Sequence, residues 1–348
     1  MISQMSDSSA QPLRIGVIGC GRIAQRIHIP NLRRTRGALV TALCDTNKEL
    51  MRAIPVDLGT CKRFEDYRTL IGDPDVDAIM VLTPPDTHFG IVKDAIESNK
   101  PIFVEKPMTL DIQQAEQLVS MANDNQTKLM VGFMRRFDPA IKAIKQSITS
   151  GFLGNLITLR TELGLVSTYR QYTQVTDSDI IGTFGQSPNH RQDLRTFLFN
   201  QLIHHADLVG YFGGPVKRVH AAGTVGDEFN IQVDLEFADG KVGTMGFFGF
   251  LNTLWHENLY LHGSKGSASV FMSFPYLDTP SRAVLTAASE GVKNTLLIYV
   301  NTMYRDEIQY FVDCVRNGVM PSPGPLDSLR AQIIIESILK SLSGKNWS

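Results

Sequence analysis

The sequence is short of cysteine, of net charge and of long hydrophobic runs. Of its 348 residues four are cysteines, and these lie far apart at Cys20, Cys44, Cys61 and Cys314. They show neither C-x-x-C spacing nor histidines at metal-ligand offsets, so we expect no disulfide, no metal site and a reducing, cytoplasmic location. The 34 basic and 35 acidic residues give a net charge of −1 without a basic run, which argues against nucleic acid as a partner.

Signals for export or membrane insertion are missing as well. Residues 1–12 are polar and contain neither a basic n-region nor an apolar h-region, so we expect a flexible tail rather than a signal peptide. No apolar run approaches the length needed to span a bilayer, and we expect no membrane partner. The remaining length suffices for two domains, which we place at 13–134 and 135–348.

A glycine-rich turn follows the first apolar stretch of the chain. Residues 15–18 predict a buried strand, which runs directly into Gly19-Cys20-Gly21-Arg22-Ile23-Ala24. In a dinucleotide-binding βαβ unit the first glycine permits the tight turn, the second lets the backbone approach a pyrophosphate, and a small third residue packs the helix on the strand. We therefore expect cofactor contacts from Gly19, Gly21, Arg22, Ile23 and Ala24, with the helix N-terminus facing the phosphates.

A carboxylate ends the second apolar strand, residues 38–44, about twenty residues after the glycines. Asp45 at this place is suited to hydrogen-bond the adenosine ribose hydroxyls and to repel a 2′-phosphate. No arginine follows it directly, so the sequence favours NAD over NADP. The alternative is that Asp45 only begins a turn before Thr46-Asn47.

The hydrophobic pattern changes along the chain. In the first third, apolar runs alternate with helical segments, which predicts an α/β fold with a doubly wound parallel sheet, a Rossmann domain. Later, polar and apolar residues alternate strictly over 230–237, and Asp239-Gly240 then predicts a hairpin turn. We expect an α+β domain with an open, largely antiparallel sheet, with further strands at 156–163, 216–222, 259–262 and 268–272 and helices at 305–317 and 326–342.

Two segments carry residues suited to proton transfer. Lys106 follows the strand 102–104 in Glu105-Lys106-Pro107, where a lysine can stabilise alkoxide charge, although a solvated lysine before a turn would look the same. In a helix, Asn200 and His204 are i,i+4 neighbours and Asp207 lies one turn on. His204 is suited to exchange a proton with an alcohol. His205 competes for that role, and a buried structural histidine is the alternative.

The order of these motifs resembles that of the Gfo/Idh/MocA oxidoreductases, and the resemblance covers nearly the whole chain. The motifs are Gly19-x-Gly21-x-x-Ala24, the strand-end Asp45, Thr83-Pro84-Pro85-x-x-His88, Glu105-Lys106-Pro107, Gly132-Phe133-Met134-Arg135-Arg136-Phe137 and His204-x-x-Asp207. The resemblance implies NAD(P)-dependent hydride transfer at a secondary alcohol of a polyol, sugar or related compound. It also implies a homodimer or homotetramer formed through the open face of the second sheet.

The resemblance assigns further residues of the site. Lys106 matches the family's active-site lysine and His204 its acid/base histidine, while Arg135 and Asp207 match positions that often face the substrate. Inositol dehydrogenase-like members often carry an aspartate where this chain has Asn200, which can orient the imidazole but supplies no charge. The positions that match the lining of the nicotinamide and its ribose are Thr83, Pro84, His88 and Glu105, and we expect Lys106 to contact the cofactor as well.

The sequence thus predicts an NAD-dependent dehydrogenase or ketoreductase for a cyclic polyol, sugar, amino sugar or nucleotide sugar. His204 would exchange the hydroxyl proton, Lys106 would polarise the oxygen, and Asn200 would fix the imidazole. Two alternatives keep the fold: a non-catalytic NAD-binding sensor, and an enzyme that regenerates its bound NAD in every cycle. The substrate stays open, and the segment 166–195 offers no pattern that identifies it.

Overall fold

The first part of the chain builds a parallel sheet. The computed structural model describes residues 11–55, 61–166, 194–225, 229–251, 255–276, 279–287, 293–300 and 302–343. Six strands pair in the order β3-β2-β1-β4-β5-β6, all of them parallel. The order reverses between β1 and β4, and ligands of such sheets bind in the crevice at that point. The strands are β1 Leu13–Ile18, β2 Ala38–Cys44, β3 Lys62–Phe64, β4 Ala78–Val81, β5 Ile102–Glu105 and β6 Leu129–Gly132.

Helices connect these strands, and several begin at a side-chain cap. The segment Ala24–His28 has π-helical hydrogen bonding and continues directly as α1, Ile29–Leu32. The next helices are α2 Lys48–Ala53, α3 Tyr67–Ile71, α4 Pro85–Glu97 and α5 Ile112–Asp124. Asn47, Asp66 and Asp111 each accept a hydrogen bond from a backbone N–H of the first turn, which satisfies a donor that the helix itself leaves free. The predicted Rossmann domain is confirmed.

The second part forms an eight-stranded sheet in the order β14-β13-β12-β11-β7-β10-β9-β8. Among the strands that the structure describes, only β7 and β10 pair in parallel, so the predicted open, largely antiparallel sheet is confirmed. Sequence reasoning did not foresee β13 and β14. The strands are β7 Leu156–Val166, β8 Val216–Thr224, β9 Phe229–Phe237, β10 Val242–Leu251, β11 His256–Gly263, β12 Gly266–Phe271, β13 Ser281–Ala287 and β14 Lys293–Tyr299.

The remaining helices join the two sheets. After a single 3-10 turn, Met134–Phe137, they are α6 Pro139–Thr149, α7 Leu194–Gln201, α8 Ile203–Gly213, α9 Met303–Arg316 and α10 Pro325–Ser343. Helix α9 packs on the first sheet, because Ile308 and Phe311 are buried in one cluster with Val17 and Phe103. A helix from the end of the chain therefore completes the core of the N-terminal sheet.

Within the described ranges, no helix is long and apolar enough to cross a membrane, and no three metal-ligating side chains cluster. All four cysteines are buried as free thiols. Residues 1–10 of the expected tail and residues 167–193 of the undeciphered segment lie outside the described part of the chain.

Candidate active site

The glycine turn after β1 is shaped by close backbone packing. Gly19 has φ +94°, and a Cβ atom there would lie 2.7 Å from the carbonyl carbon of Leu82 and the nitrogen of Thr83. Only glycine fits, because both the dihedral angle and the space exclude a side chain. At Gly21, in contrast, an added Cβ would meet nothing within 4 Å. The turn therefore leaves an open backbone surface at the β1–β4 crevice, as a dinucleotide requires.

Asp45 lies beside this turn at the end of β2. Its Oδ2 accepts a hydrogen bond from the backbone N–H of Cys20 at 2.8 Å, and its Oδ1 accepts one from that of Asn47 at 2.8 Å. The carboxylate thus adjoins the glycine turn and also begins the next turn, and its contact with a ribose stays a prediction. On the neighbouring strand, Nε and Nη2 of Arg63 are buried without a hydrogen-bond partner among the described residues.

Glu105 and Lys106 mark the end of β5. Nε2 of His28 donates to Oε1 of Glu105 at 2.7 Å, and the backbone N–H of Lys106 donates to Oε2 at 3.0 Å. Burial alone would raise the pKa of Glu105, but the hydrogen bond from His28 and the nearby Lys106 charge lower it below its ordinary value. Glu105 is therefore a buried carboxylate that stays ionised.

The ammonium group of Lys106 reaches toward the second domain. Its Nζ donates a hydrogen bond to the backbone carbonyl of Asn200 at 2.8 Å. Burial lowers the pKa of Lys106, and the charge of Glu105 opposes that shift. The lysine is therefore half-buried and hydrogen-bonded to a residue of the second domain, unlike the solvated lysine that the sequence left as an alternative.

His204 begins α8 close to this lysine. Burial and the positive charge of Lys106 lower the pKa of His204 well below its ordinary value, so the ring is neutral. Its edge faces Phe133, with ring centroids 6.2 Å apart. Its Nδ1 has no hydrogen-bond partner in the part of the chain that is described. Asn200 thus contacts the site through its backbone carbonyl, which accepts from Lys106, and its expected role in fixing the imidazole stays a prediction.

His88 connects the loops after β4 and β5. Its Nε2 lies 2.8 Å from the carbonyl oxygen of Thr83, and its Nδ1 lies 2.9 Å from that of Pro107. Burial lowers the pKa of this histidine. A neutral ring can donate to only one of the two carbonyls. His88, expected to line the cofactor site, thus lies between Thr83 and Pro107, the residue that follows Lys106.

The two arginines after β6 make separate buried ion pairs. Arg135 pairs with Glu257 and donates from Nη1 to the carbonyl oxygen of Ser273 at 3.1 Å. Arg136 donates from Nε and Nη2 to the two oxygens of Asp207, at 2.8 and 2.6 Å. Arg135 is 1% exposed and Asp207 2%, so both side chains expected to face the substrate are engaged within the protein.

Sequence reasoning missed three partners in this site, namely His28, Arg136 and Glu257. His28 stands in an apolar helical segment, which signals a buried histidine but does not identify Glu105 as its partner. Which of Arg135 and Arg136 pairs with Asp207 likewise depends on contacts between elements far apart in the chain.

Comparison with known proteins agrees with this geometry. A family model described as an oxidoreductase family with an NAD-binding Rossmann fold matches residues 13–133, and one for the GFO/IDH/MocA C-terminal domain matches residues 141–269. The chain is 26% identical over 339 residues to a myo-inositol 2-dehydrogenase of Thermotoga maritima, covering 96% of this chain and 97% of that protein. It is also 26% identical over 345 residues to an NAD(+)-dependent scyllo-inositol 2-dehydrogenase of Bacillus subtilis, covering 91% and 90%.

Solved structures share the same architecture. A scyllo-inositol dehydrogenase from Lactobacillus casei, solved with NAD(H) and scyllo-inositol, has a TM-score of 0.75 and 19% identity, covering 96% of this chain and 98% of that one. A probable dehydrogenase from Thermotoga maritima has a TM-score of 0.75 and 26% identity, covering 96% and 98%. With both of its domains matched by family models, the chain belongs to the Gfo/Idh/MocA family of NAD-binding oxidoreductases.

Proposed function

We propose that this protein is an NAD-dependent dehydrogenase for a secondary alcohol of a cyclic polyol or sugar. The observation that carries the proposal is that Lys106, directly after β5, is bonded to the carbonyl of Asn200 and lies close enough to His204 for its charge to lower the pKa of that histidine. The names of the relatives, inositol 2-dehydrogenases among them, support a cyclic polyol as the first substrate class to test.

Lys106 is suited to bind the reacting oxygen. An ammonium group has three N–H donors. One of them is used by the carbonyl of Asn200, so two remain for a hydroxyl or carbonyl oxygen of the substrate. Because burial lowers the pKa of Lys106, the group gives up a proton more readily than an exposed lysine. It can therefore both polarise the oxygen and share in its proton transfer.

His204 is suited to take the hydroxyl proton. Its neutral ring offers one nitrogen as an acceptor, and the loss of a proton to it leaves the substrate oxygen beside the Lys106 ammonium. Burial and the charge of Lys106 lower the pKa of His204, so it is unfavourable for both groups to be protonated at once. The pair therefore holds one proton in preference to two. The proton is therefore expected to move between both groups and the oxygen.

The dinucleotide would be held by the turn Gly19–Ala24 and by Asp45, and when bound it would supply the hydride acceptor or donor. Thr83, Pro84 and Glu105 would form the neighbouring wall, with His88 holding that wall in place. Among the residues expected to face the substrate, Arg135 and Asp207 would act by positioning α8 and the second sheet, because each is bound in a buried ion pair.

Two further parts of the proposal concern assembly and location. Exposed apolar side chains, Leu296 and Ile298 of β14 with Phe271 of β12, lie on the outer face of the second sheet. They support a homodimer or homotetramer formed through that face, which light scattering in solution would test. Four buried free thiols support a reducing cytoplasm.

The test is a dehydrogenase assay of the purified protein with NAD or NADP as the cofactor. Inositols, aldoses and amino sugars are offered as substrates, and formation of the reduced cofactor is followed by its absorbance. The wild type is compared with Lys106→Met. We expect activity with one substrate class, a fall in kcat of about 100-fold or more in Lys106→Met, and unchanged NADH affinity. Lys100→Met is the matched control, because Lys100 is also half-buried and bonded through Nζ to a carbonyl, that of Asp73, before β5 begins.

Other outcomes have defined meanings. Loss of NADH affinity in Lys106→Met would assign the lysine to cofactor binding instead. Tight NAD retention with no net NADH formation would indicate an enzyme that recycles its cofactor, and NAD binding without turnover of any substrate would indicate a sensor.

A further inference from the structure

A buried pair, His28 and Glu105, adjoins Lys106 and comes from two different elements. His28 ends the π-helical segment after the glycine turn, and its Nε2 donates to Oε1 of Glu105 at 2.7 Å. The other oxygen of this carboxylate accepts from the backbone N–H of Lys106 at 3.0 Å. One carboxylate thus joins the cofactor-binding helix to the peptide of the lysine.

The surroundings fix this pair in one arrangement. The ring of His28 contacts Phe103 and Tyr304 edge-on, with centroids 5.4 and 6.2 Å apart. Across the sheet Glu105 pairs with Gly132, where an added Cβ would lie 3.1 Å from Cζ of Phe103 and 3.4 Å from Cδ and Oε1 of Glu105. A side chain at position 132 would press on the Phe103 ring, which His28 contacts, and would also touch the carboxyl group, so glycine leaves room for the ring and the pair.

The local helix geometry also bears on His28. Residues Ala24–His28 form a π-helical segment, an uncommon geometry that is found mostly as single turns and often at functional sites. Such a wide turn changes which side chains of the helix face the sheet. Here the turn ends on the histidine that is fully buried against β5.

We propose that His28 is a positioning residue, which holds the Glu105 carboxylate against Lys106 and so couples the lysine to the helix that follows the glycine turn. The inference rests on the proposed function in one respect, the action of Lys106 on the substrate oxygen. Nothing in the motifs of the sequence assigns this role to His28.

The electrostatics of the pair give the expected direction of its effect. Without the hydrogen bond from His28, burial would raise the pKa of Glu105, and the carboxylate would take up a proton at higher pH. Lys106 would then lose its counter-charge, and its own pKa would fall further. The other titratable groups that sense Glu105 are His88 of α4, Tyr276 between β12 and β13, and Tyr304 and Glu307 of α9.

The experiment compares His28→Leu with His28→Gln in the full chain. A glutamine amide can donate a hydrogen bond near the position of Nε2, whereas leucine cannot. We expect His28→Leu to lower kcat at neutral pH by about 10- to 100-fold, to move the acid limb of the kcat–pH profile upward, and to leave the KM for NAD near that of the wild type. His28→Gln should recover most of the rate and the wild-type profile.

Phe311→Leu is the matched packing control. Phe311 is buried in the hydrophobic cluster that includes Phe103, and the ring centroids of the two residues are 5.8 Å apart. Its truncation should lower the melting temperature without moving the pH profile. A wild-type profile in His28→Leu, or the same loss in His28→Gln as in His28→Leu, would overturn the proposal.

A second readout does not require turnover. In protein labelled with [ε-13C]lysine, the Lys106 resonance is assigned by its absence in Lys106→Met and then titrated by NMR. The pKa of Lys106 should be lower in His28→Leu than in the wild type and close to wild type in His28→Gln, and an unchanged titration refutes the inference. If Lys106→Met keeps full turnover, the proposed function fails, yet this titration still decides the role of His28.

A third variant covers the case in which His28→Leu does not fold. Gly132→Ala keeps His28 but places a methyl group 3.1 Å from the Phe103 ring, which His28 contacts, and 3.4 Å from the Glu105 carboxyl group. It should lower the pKa of Lys106 and move the acid limb in the same direction, and a wild-type titration in this variant counts against the proposal.

Discussion

Arg136 donates two hydrogen bonds to Asp207, from Nε to Oδ2 at 2.8 Å and from Nη2 to Oδ1 at 2.6 Å. The guanidinium also reaches Asp327 of α10 at 3.1 Å and lies 4.5 Å from the ring centroid of Tyr211. One side chain after β6 therefore holds α8, which carries His204, and α10 together. This buried pair sets the position of the helix that bears the proposed base.

We predict that Arg136→Met lowers the free energy of unfolding by about 3 kcal/mol or more, because it leaves the Asp207 carboxylate buried without its partner. Asp207→Asn should cost less, and the double variant should cost less than the sum of the two. Urea denaturation measures these differences. Arg218→Met is the control, since Arg218 pairs with Glu236 but is 75% exposed, and it should change stability by under about 1 kcal/mol. A loss in Arg136→Met no larger than in this control would contradict the prediction.

The Arg136–Asp207 pair also shows where sequence reasoning stops. The parallel sheet and the glycine turn could be predicted, because apolar runs and glycine spacing are local patterns. The second sheet could be predicted from the alternation over Phe229–Phe237, where every second residue from Ile231 onward faces the core. Which arginine meets Asp207, however, depends on the approach of two elements far apart in the chain, and no local pattern encodes it.

The same limit applies to the smaller parts of the site. Lys106 and His204 could be chosen as reactive side chains, since each has the right chemistry at a strand end or helix start. Their partners could not, because His28 reaches Glu105, and the carbonyl of Asn200 reaches Lys106, only through tertiary packing. Reactive side chains can therefore be identified from a single sequence, whereas the residues that bind and position them cannot.

The two glycines of the turn should respond differently to alanine. Gly19→Ala combines a positive φ with contacts of 2.7 Å to backbone atoms, so we expect a large loss of stability together with loss of NADH binding. Gly21→Ala meets nothing within 4 Å, so we expect a melting temperature near that of the wild type but an NADH Kd raised about tenfold or more, because the methyl group occupies the approach to the backbone. Thermal unfolding and NADH fluorescence titration separate the two effects. Equal NADH affinity in Gly21→Ala and the wild type would place the diphosphate elsewhere.

Asp45→Ser is predicted to relax the preference for NAD over NADP. The substitution removes a carboxylate that repels a 2′-phosphate, while serine can still accept the hydrogen bond from Cys20. We expect the ratio of kcat/KM for NADP to that for NAD to rise about tenfold or more. Arg63, on the adjacent strand β3, is close enough to the glycine turn for its charge to act on Cys20, so we expect Arg63→Met in the Asp45→Ser background to reverse part of the gain. An unchanged ratio in Asp45→Ser would show that the cofactor choice is made by other residues.

Glu307 should make stability depend on pH in a defined direction. The side chain is 0% exposed on α9, and neither carboxyl oxygen has a hydrogen-bond partner among the described residues. Burial, with the charges of Glu105 and Asp207, raises its pKa well above the ordinary value. The folded protein thus keeps this proton to higher pH than the unfolded chain does. Glu307 therefore contributes fully to stability below the pKa of the unfolded chain, about 4.3, and that contribution is lost as the pH rises toward the folded value.

Glu307→Gln removes this titration while keeping the shape of the side chain. We expect the difference in the free energy of unfolding, variant minus wild type, to increase from about pH 5 to about pH 9, since only the wild type must ionise a buried acid. Urea denaturation across that range measures the difference. Glu116→Gln, an exposed position on α5, is the control and should show a difference that stays constant with pH. If Glu307→Gln behaves like this control, the carboxyl group must find a partner or water in solution that keeps its pKa near the ordinary value.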